Sequence, residues 1–199
     1  MKTCFALLAL TACLPAVADT YRIDPDHANV RFAIDHFGTS TNTGGFYRLT
    51  GTIDYRPEAE TGSVHIRIPT ASVSSGNPEF DHHLKAADLF NVARHPEMVF
   101  ESTRFRFDNG RLSAVEGRLT LLGQTHPLTL TAQRFNCYIS PVKLAQVCGG
   151  DFSATLQRSR WGMNYLSGIM PDEVRLDIQI EAVKQGKPGA FSERRDGTR

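Results

Sequence analysis

Residues 77–92, NPEFDHHLKAADLFNV, form the one segment of this chain with a helical period, set between long runs that alternate as strands do. Asn77 suits an N-cap and Pro78 the first helical position, where its missing amide would have had no partner. At 100° per residue, Phe80, His83, Leu84, Ala87 and Phe90 share one side, while Asp81, His82, Lys85 and Leu89 lie toward or on the other. The spacing predicts a helix over 77–92 with a histidine inside its apolar stripe. A single short helix among strands must cover something, and the natural target is the open end of a sheet curled on itself.

Upstream of this helix, residues 29–37 set Val30, Phe32, Ile34 and His36 against Asn29, Arg31, Ala33 and Asp35. The Gly, Ser, Thr and Asn cluster over 38–45 reads as a turn. Residues 46–55 follow as a strand with Tyr47, Leu49, Ile53 and Tyr55 opposite Arg48, Thr50, Thr52 and Asp54, and 63–69 repeat the pattern with Val64, Ile66 and Ile68. Downstream, the strand at 99–107, which carries Phe100, ends at Asp108-Asn109-Gly110, a hairpin signal before 112–122 with Leu119 and Leu121. Gly123-Gln124 turn the chain into 128–135, which carries Leu128 and Leu130. Residues 152–158 place Phe152, Ala154, Leu156 and Arg158 on one face, and 174–183 place Val174, Leu176, Ile178 and Ile180 opposite Arg175, Asp177 and Gln179. With a short opening strand at 21–24 this makes eight or nine strands, nearly all antiparallel. Such a set closes either as a sandwich or as a barrel, and the period does not choose between them. An eight-stranded barrel has room for one small ligand, but alternating Val, Ile, Leu and Phe equally make a packed core.

Residues 1–18 read as an export signal: Lys2, an apolar run over 5–14 too short for a membrane span, and Ala16-Val17-Ala18 before Asp19. Leu10-Thr11-Ala12-Cys13 also resembles a lipobox, which would leave Cys13 as an acylated N-terminus; cleavage after Ala18 is preferred because Cys13 comes early. Either way the mature protein leaves the cytoplasm, and a periplasmic location is expected. One domain is expected over 19–185, followed by an aperiodic Gly-, Arg- and Ser-rich tail over 186–199 expected to be disordered. The net charge of +1, from 22 basic and 21 acidic residues without a basic patch, argues against a nucleic-acid partner. Cys4 and Cys13 fall in the leader, so Cys137 and Cys148 are expected to pair in an exported protein, in a loop that interrupts the sheet. A redox role is disfavoured because no C-x-x-C spacing is present to tune one thiol.

Several groups of residues resemble, at matching places, the YceI-like family of polyisoprenoid-binding periplasmic proteins. They are Tyr21-Arg22-Ile23-Asp24-Pro25-Asp26-His27, Val30-x-Phe32, His36-Phe37-Gly38, Asp81-His82-His83-Leu84-Lys85 and Asp88-Leu89-Phe90-Asn91-Val92. Pro96-x-x-x-Phe100-x-Ser102-Thr103, Gly117-x-Leu119-Thr120-Leu121-x-Gly123, Arg158-Ser159-x-Trp161-Gly162-Met163 and Asp172-Glu173-Val174 continue the match. The resemblance covers 21–183 and implies an extended lipocalin-like, eight-stranded antiparallel barrel with one short helix over its end. It implies a long isoprenoid ligand, a ubiquinone or a polyprenyl phosphate, and no enzyme, metal or further cofactor. The tail would lie against Val30, Phe32, Ile34, Leu49, Ile53, Val64 and Ile66, then Phe80, Leu84, Phe90, Phe100, Leu119 and Leu121, and Leu128, Leu130, Phe152, Leu156, Trp161, Leu176 and Ile178. Asp81 and His83, matching the family's Asp-x-His-Leu, are the head-group candidates, joined by His36 and Arg48. A neutral imidazole donates to a quinone carbonyl and a protonated one pairs with a phosphate. Each has a plainer reading: Asp81 in a first helical turn is favoured by the helix dipole alone, and His83 can be a hydrogen-bonded histidine beneath the helix. The chain departs from the family at Phe80, where relatives usually have a basic residue and Asp, at Arg160-Trp161 before Gly162, and in the Cys137 to Cys148 loop.

The residues admit two other classes. A metal-dependent hydrolase would need Asp81, His82 and His83 with His27, His36 or His95, but adjacent His82 and His83 point to different sides of a helix, and neither H-x-x-x-H nor a nucleophile elbow is present. An interaction protein would use Trp161, Met163, Tyr165 and Met170 as a docking patch; the same residues would serve as a cavity lip in transient contact with a membrane. The sequence leaves open a homodimer through edge strands.

Overall fold

The period-two pattern is realised as eleven strands in the computed structural model, which describes residues 18–186. The leader reading of 1–17 and the tail reading of 187–199 lie outside the described residues. The elements are β1 (Asp19–Ile23), β2 (Asn29–His36), β3 (Ser40–Phe46), β4 (Thr50–Arg56), β5 (Thr61–Pro69), β6 (Val73–Ser74), α1 (Pro78–Lys85), β7 (Glu97–Asp108), β8 (Arg111–Leu121), β9 (Gln124–Ser140), β10 (Ala145–Gln157) and β11 (Glu173–Lys184).

Every named strand pair is antiparallel, and the order β1-β4-β5-β7-β8-β9-β10-β11 returns to β1 through Tyr21 opposite Lys184 and Ile23 opposite Ala182. This is a closed eight-stranded barrel. At one end β2 continues along β11, with Ala33 opposite Arg175, while β3 pairs with β2 and β6 with β3. The strands β1–β2, β3–β4 and β5–β6 thus each behave as one long strand with a break. Two of the breaks are 3-10 turns, at Pro25–His27 and Thr70–Ser72. The interior is apolar, and the end remote from α1 is closed by aromatics: Tyr55 stacks on Phe107 at 6.5 Å and meets Phe135 edge-on at 5.4 Å.

Three expectations are corrected. The helix ends at Lys85, not 92: Ala86 leaves helical geometry with ψ 167°, and Asn91 adopts a left-handed φ of 44°. A continuous helix would have turned Leu89 away from Phe90; the break lets both side chains face inward. The polar cluster over 38–45 is mostly β3, a rim strand whose outer residues are solvated. Gly44 is required there because the Phe32 ring lies across it, and a Cβ would come within 2.6 Å of that ring. The Cys137 to Cys148 segment does not interrupt the sheet but is the tip of the β9–β10 hairpin, paired up to the turn at 141–144, and the two cysteines are register partners. They are disulfide-bonded with Cα atoms 4.1 Å apart.

Asn77 caps α1 as its side chain predicts, accepting from the amides of Glu79 at 3.0 Å and Phe80 at 3.3 Å. Three carboxylates hold loops to the barrel. Asp81 accepts from the hydroxyl and amide of Ser75 at 2.6 and 2.5 Å, which hold its carboxyl below the ordinary value near 3.8. Asp172 is lowered first by the Ser159 hydroxyl at 2.6 Å. Burial pushes Asp24 up, but hydrogen bonds from His27 and Lys143 and from the Asp26 amide outweigh it, so it too ends below its ordinary value.

Because the disulfide closes a short loop in a hairpin already in register, Cys137→Ser with Cys148→Ser is expected to cost about 3 kcal/mol in denaturant unfolding while leaving the far-ultraviolet dichroism of the native state unchanged. A change in the native spectrum would mean that the bond holds the strands together and does not merely restrict the unfolded chain. Depressed carboxylates contribute stability that is fully present above about pH 4 and is lost as pH falls through their lower folded values. Thermal unfolding measured across the acid range should therefore show a falling Tm below that point, and Asp24→Asn should lower Tm at neutral pH while flattening this acid limb. An acid limb equally steep in the variant would remove Asp24 from the account.

Candidate functional site: an apolar cavity with a polar rim

Closing eight strands leaves an interior wider than the side chains fill, and a cavity of about 350 Å³ lies between the barrel centre and α1. The inward residues of β2 run Val30, Phe32, Ile34, His36 toward its open end. Beside it β11 contributes Val174, Leu176 and Ile178, and the next strand, β10, contributes Leu156 and the chain just beyond it Arg158. Because Leu156 is opposite Val174 and Leu176 is opposite Phe32, His36 and Arg158 come to the same end. There α1 adds Phe80, His83 and Leu84, and the segment after it adds Leu89 and Phe90. A second cavity of about 50 Å³ lies deeper, toward the aromatic base.

The residues expected along a ligand tail divide between these spaces. Val30, Phe32, Ile34, Leu49, Phe80, Leu84, Phe90, Leu119, Leu121, Leu128, Leu156, Leu176 and Ile178 line the larger cavity; Ile53, Val64 and Phe152 line the smaller; and Ile66, Phe100 and Leu130 border both. Trp161 lines neither. It is 1% exposed, its indole Nε1 donates to the Leu119 carbonyl at 3.0 Å, and His126 meets its ring edge-on at 5.2 Å. It is a wall residue because its one polar atom needs a buried acceptor and finds it in the β8 backbone.

Of the four head-group candidates, the structure brings His36 and His83 into the lining and leaves Asp81 and Arg48 out. The Asp81 carboxylate is taken by Ser75, and Arg48 is exposed on the outer surface between β3 and β4. The His83 ring packs edge-on against Tyr165 at 5.0 Å and beside Phe80 at 6.5 Å. Asn42, Tyr165 and Arg158 complete the polar members of the lining. No carboxylate or cysteine is among its residues, and no group of three potential metal ligands occurs among the described residues.

Arg158 was missed. Its guanidinium, in a residue 5% exposed, donates to the carbonyls of Pro171 at 3.0 Å, Met163 at 3.1 Å and Tyr165 at 2.7 Å, and reaches toward that of Met170 at 3.5 Å. It holds the loop 159–172 over the cavity end. Ser159 donates from its amide and hydroxyl to Asp172, closing the neck of that loop. The available signal was a charge on the inward side of an otherwise apolar alternation through Phe152, Ala154 and Leu156. Met163, Tyr165, Leu166 and Met170 of this loop line the cavity, so the proposed docking patch is its lip, without Trp161. Tyr165, Leu166 and Ile169 are also exposed, as is Phe37 at the tip of the β2–β3 hairpin.

Comparison with known proteins agrees with this architecture. The family model described as the YceI-like domain matches residues 21–182. A UPF0312 protein of Pseudomonas aeruginosa strain LESB58 is 33% identical over 194 residues, covering 93% of this chain and all of that protein. Protein YceI of Escherichia coli O157:H7 is 34% identical over 175 residues, covering 85% of this chain and 90% of its own. Among solved structures, Burkholderia cenocepacia BcnA superposes with a TM-score of 0.65 at 20% identity, covering 80% of this chain and 99% of its own. A polyisoprenoid binding domain from Saccharophagus degradans superposes with a TM-score of 0.60 at 14% identity, covering 83% of this chain and 98% of its own. With a match along nearly the whole barrel and full-length relatives at a third identity, this chain belongs to the YceI-like family.

Proposed function

We propose that this protein is a periplasmic, non-enzymatic carrier that holds an isoprenoid lipid in the barrel cavity, with the tail inward and the head group at the rim. The observation that carries this reading is the lining itself: aliphatic and aromatic along its depth, with His36, Asn42, His83, Tyr165 and Arg158 as its polar members. An isoprenoid tail makes no hydrogen bonds, so its binding follows apolar area removed from water, roughly 25 cal/mol per Å² before ordering costs. Discrimination then falls to the few polar groups at the rim. The polyisoprenoid-binding function of the Saccharophagus degradans domain supports the same ligand class. His36 and His83 are the head-group residues in this reading. Imidazole nitrogens suit a quinone carbonyl or a phosphate, whereas the Asp81 carboxylate is committed to Ser75. The apolar exterior of the lip, with Ile169 63% and Phe37 50% exposed, suits transient contact with a bilayer from which the lipid is withdrawn.

Native purification of the untagged mature protein, organic extraction and mass spectrometry test the reading. A stoichiometric polyprenyl compound is expected. A change in its quinone absorbance on reduction identifies a quinone, and a phosphate in its mass a polyprenyl phosphate. Added farnesol should raise Tm, by about 3 kcal/mol of stabilisation at a hundredfold excess over Kd. The absence of both co-purified lipid and thermal stabilisation would sink the carrier assignment. The rim is tested by His36→Ala with His83→Ala, which should reduce the preference for a short-chain ubiquinone over farnesol by about tenfold, the value of one or two hydrogen bonds, with farnesol affinity unchanged. For the lip, Ile169→Asp should slow lipid uptake from vesicles without altering farnesol affinity in solution; equal rates for variant and parent would remove the membrane contact.

A further inference from the structure

The two cavities lie one behind the other along the barrel, and only a thin layer of side chains separates them. Ile66, Phe100, Leu130 and Ile180 border both spaces, one each from β5, β7, β9 and β11. Ile66 and Phe100 are register partners, so they meet on the same inner face. The strand between β7 and β9 contributes no side chain to this layer. On β8 the inward series Val115, Gly117, Leu119, Leu121 has its gap at Gly117, and the Phe100 ring occupies the space thus left: a Cβ on Gly117 would come within 2.4 Å of Phe100 Cζ and 2.7 Å of Cε2. Phe100 is paired with Leu119, so its ring leans from the larger cavity toward the base. It is 5% exposed.

Resting on the carrier reading, we infer that Phe100 is the end-stop of the ligand tail and thereby sets the isoprenoid length this protein prefers. Beyond the ring the second cavity is also apolar, walled by Val64, Val115 and Phe152 and ending at Tyr55, Phe105 and Phe135. Successive inward positions on a strand are about 7 Å apart. Removing the ring therefore joins the two spaces and extends the channel by one such layer, enough for one further isoprene unit. Nothing at this depth discriminates by hydrogen bonding, since the layer consists of hydrocarbon side chains and a glycine. Length selection here is steric: a unit that fits contributes its buried area, and one that meets the ring must stay nearer the rim, in water.

The test is calorimetric titration of the mature protein with a series of all-trans prenols, from geraniol through farnesol and geranylgeraniol to longer members. Affinity of the wild type should rise with each unit and then level off. In Phe100→Ala the levelling should move one unit later, with about a tenfold gain for the first prenol beyond the wild-type break and no gain for shorter ones. Phe100→Leu, which keeps most of the buried hydrocarbon and so guards against loss of the fold, should move the break in the same direction with a smaller gain. Val73→Ala, a truncation at a buried residue that lines neither cavity, should leave the break where it is. A break at the same length in wild type and both Phe100 variants, or an equal shift in Val73→Ala, overturns the end-stop. If neither wild type nor variants bind any prenol, the carrier reading has failed, and the end-stop falls with it.

Discussion

The last strand of the barrel is hydrogen-bonded to the first, and the rest of the molecule depends on that seam. β11 pairs with β10 along almost its whole length on one side, and on the other side with β1 near its end and β2 near its start. Lys184 reaches Asp19 across it at 2.5 Å. The pairing joins residues at opposite ends of the described chain, so its loop-closure cost is high and is recovered only when the interior is enclosed. Once it forms, no edge is left along the ring, and the apolar faces of eight strands have only one another to face. Outside the ring, the small extension β2-β3-β6 ends on β6, a two-residue strand followed by α1 that pairs with Gly45 and Phe46 of β3.

Closure also explains why the interior is unevenly filled. Toward the base, aromatic side chains from β4, β7 and β9 reach across and meet. Toward α1, the wall is mainly Leu, Ile, Val and Met, which do not span the gap, and the space stays open. An interior normally packs as densely as an organic crystal, so a channel this apolar forfeits dispersion contacts along its whole wall. A hydrocarbon tail restores them without asking for any hydrogen bond, whereas water entering the channel would find few partners. The chemistry of the wall and the cost of leaving it bare point the same way.

How far the sequence reveals this structure depends on the scale of the feature. Asn77-Pro78, the alternation over β2 and β11, and Asn109-Gly110 are local signals, and each is realised where it was read. β3 was not legible, because a strand held by its backbone ladder at a rim needs no apolar alternation and accepts Ser, Thr, Asn and Gly. The second half of 77–92 was misread because a helical period fits Phe80, Leu84 and Phe90 but takes no account of Leu89, whose burial favours the break. Asp81 and His83 stand two residues apart in one motif, yet the first turns to Ser75 and the second into the cavity; that division depends on where 74–77 pass, which no local pattern specifies. The role of Phe100 was still less accessible. It requires the register of β7 against β8, which sets the ring over Gly117.

Arg158 shows why the rim and the cavity cannot be treated as separate modules. A guanidinium buried beside hydrocarbon is costly unless its donors are satisfied, and here backbone carbonyls of the lip loop satisfy them. The loop is also held by the Ser159–Asp172 neck and by the buried Trp161, and the bonds that make the cation tolerable add to these in holding Met163, Tyr165 and Met170 over the opening. Tyr165 then supports the ring of His83. A head group that displaced the loop would therefore strip the arginine of its acceptors, while one that fitted beneath it would meet His83 already oriented. The polar end is tied to the lip loop through a buried charge, whereas the apolar end is bounded by a ring resting on a glycine. On the carrier reading, head-group chemistry and tail length would thus be set by different physical means at opposite ends of one channel.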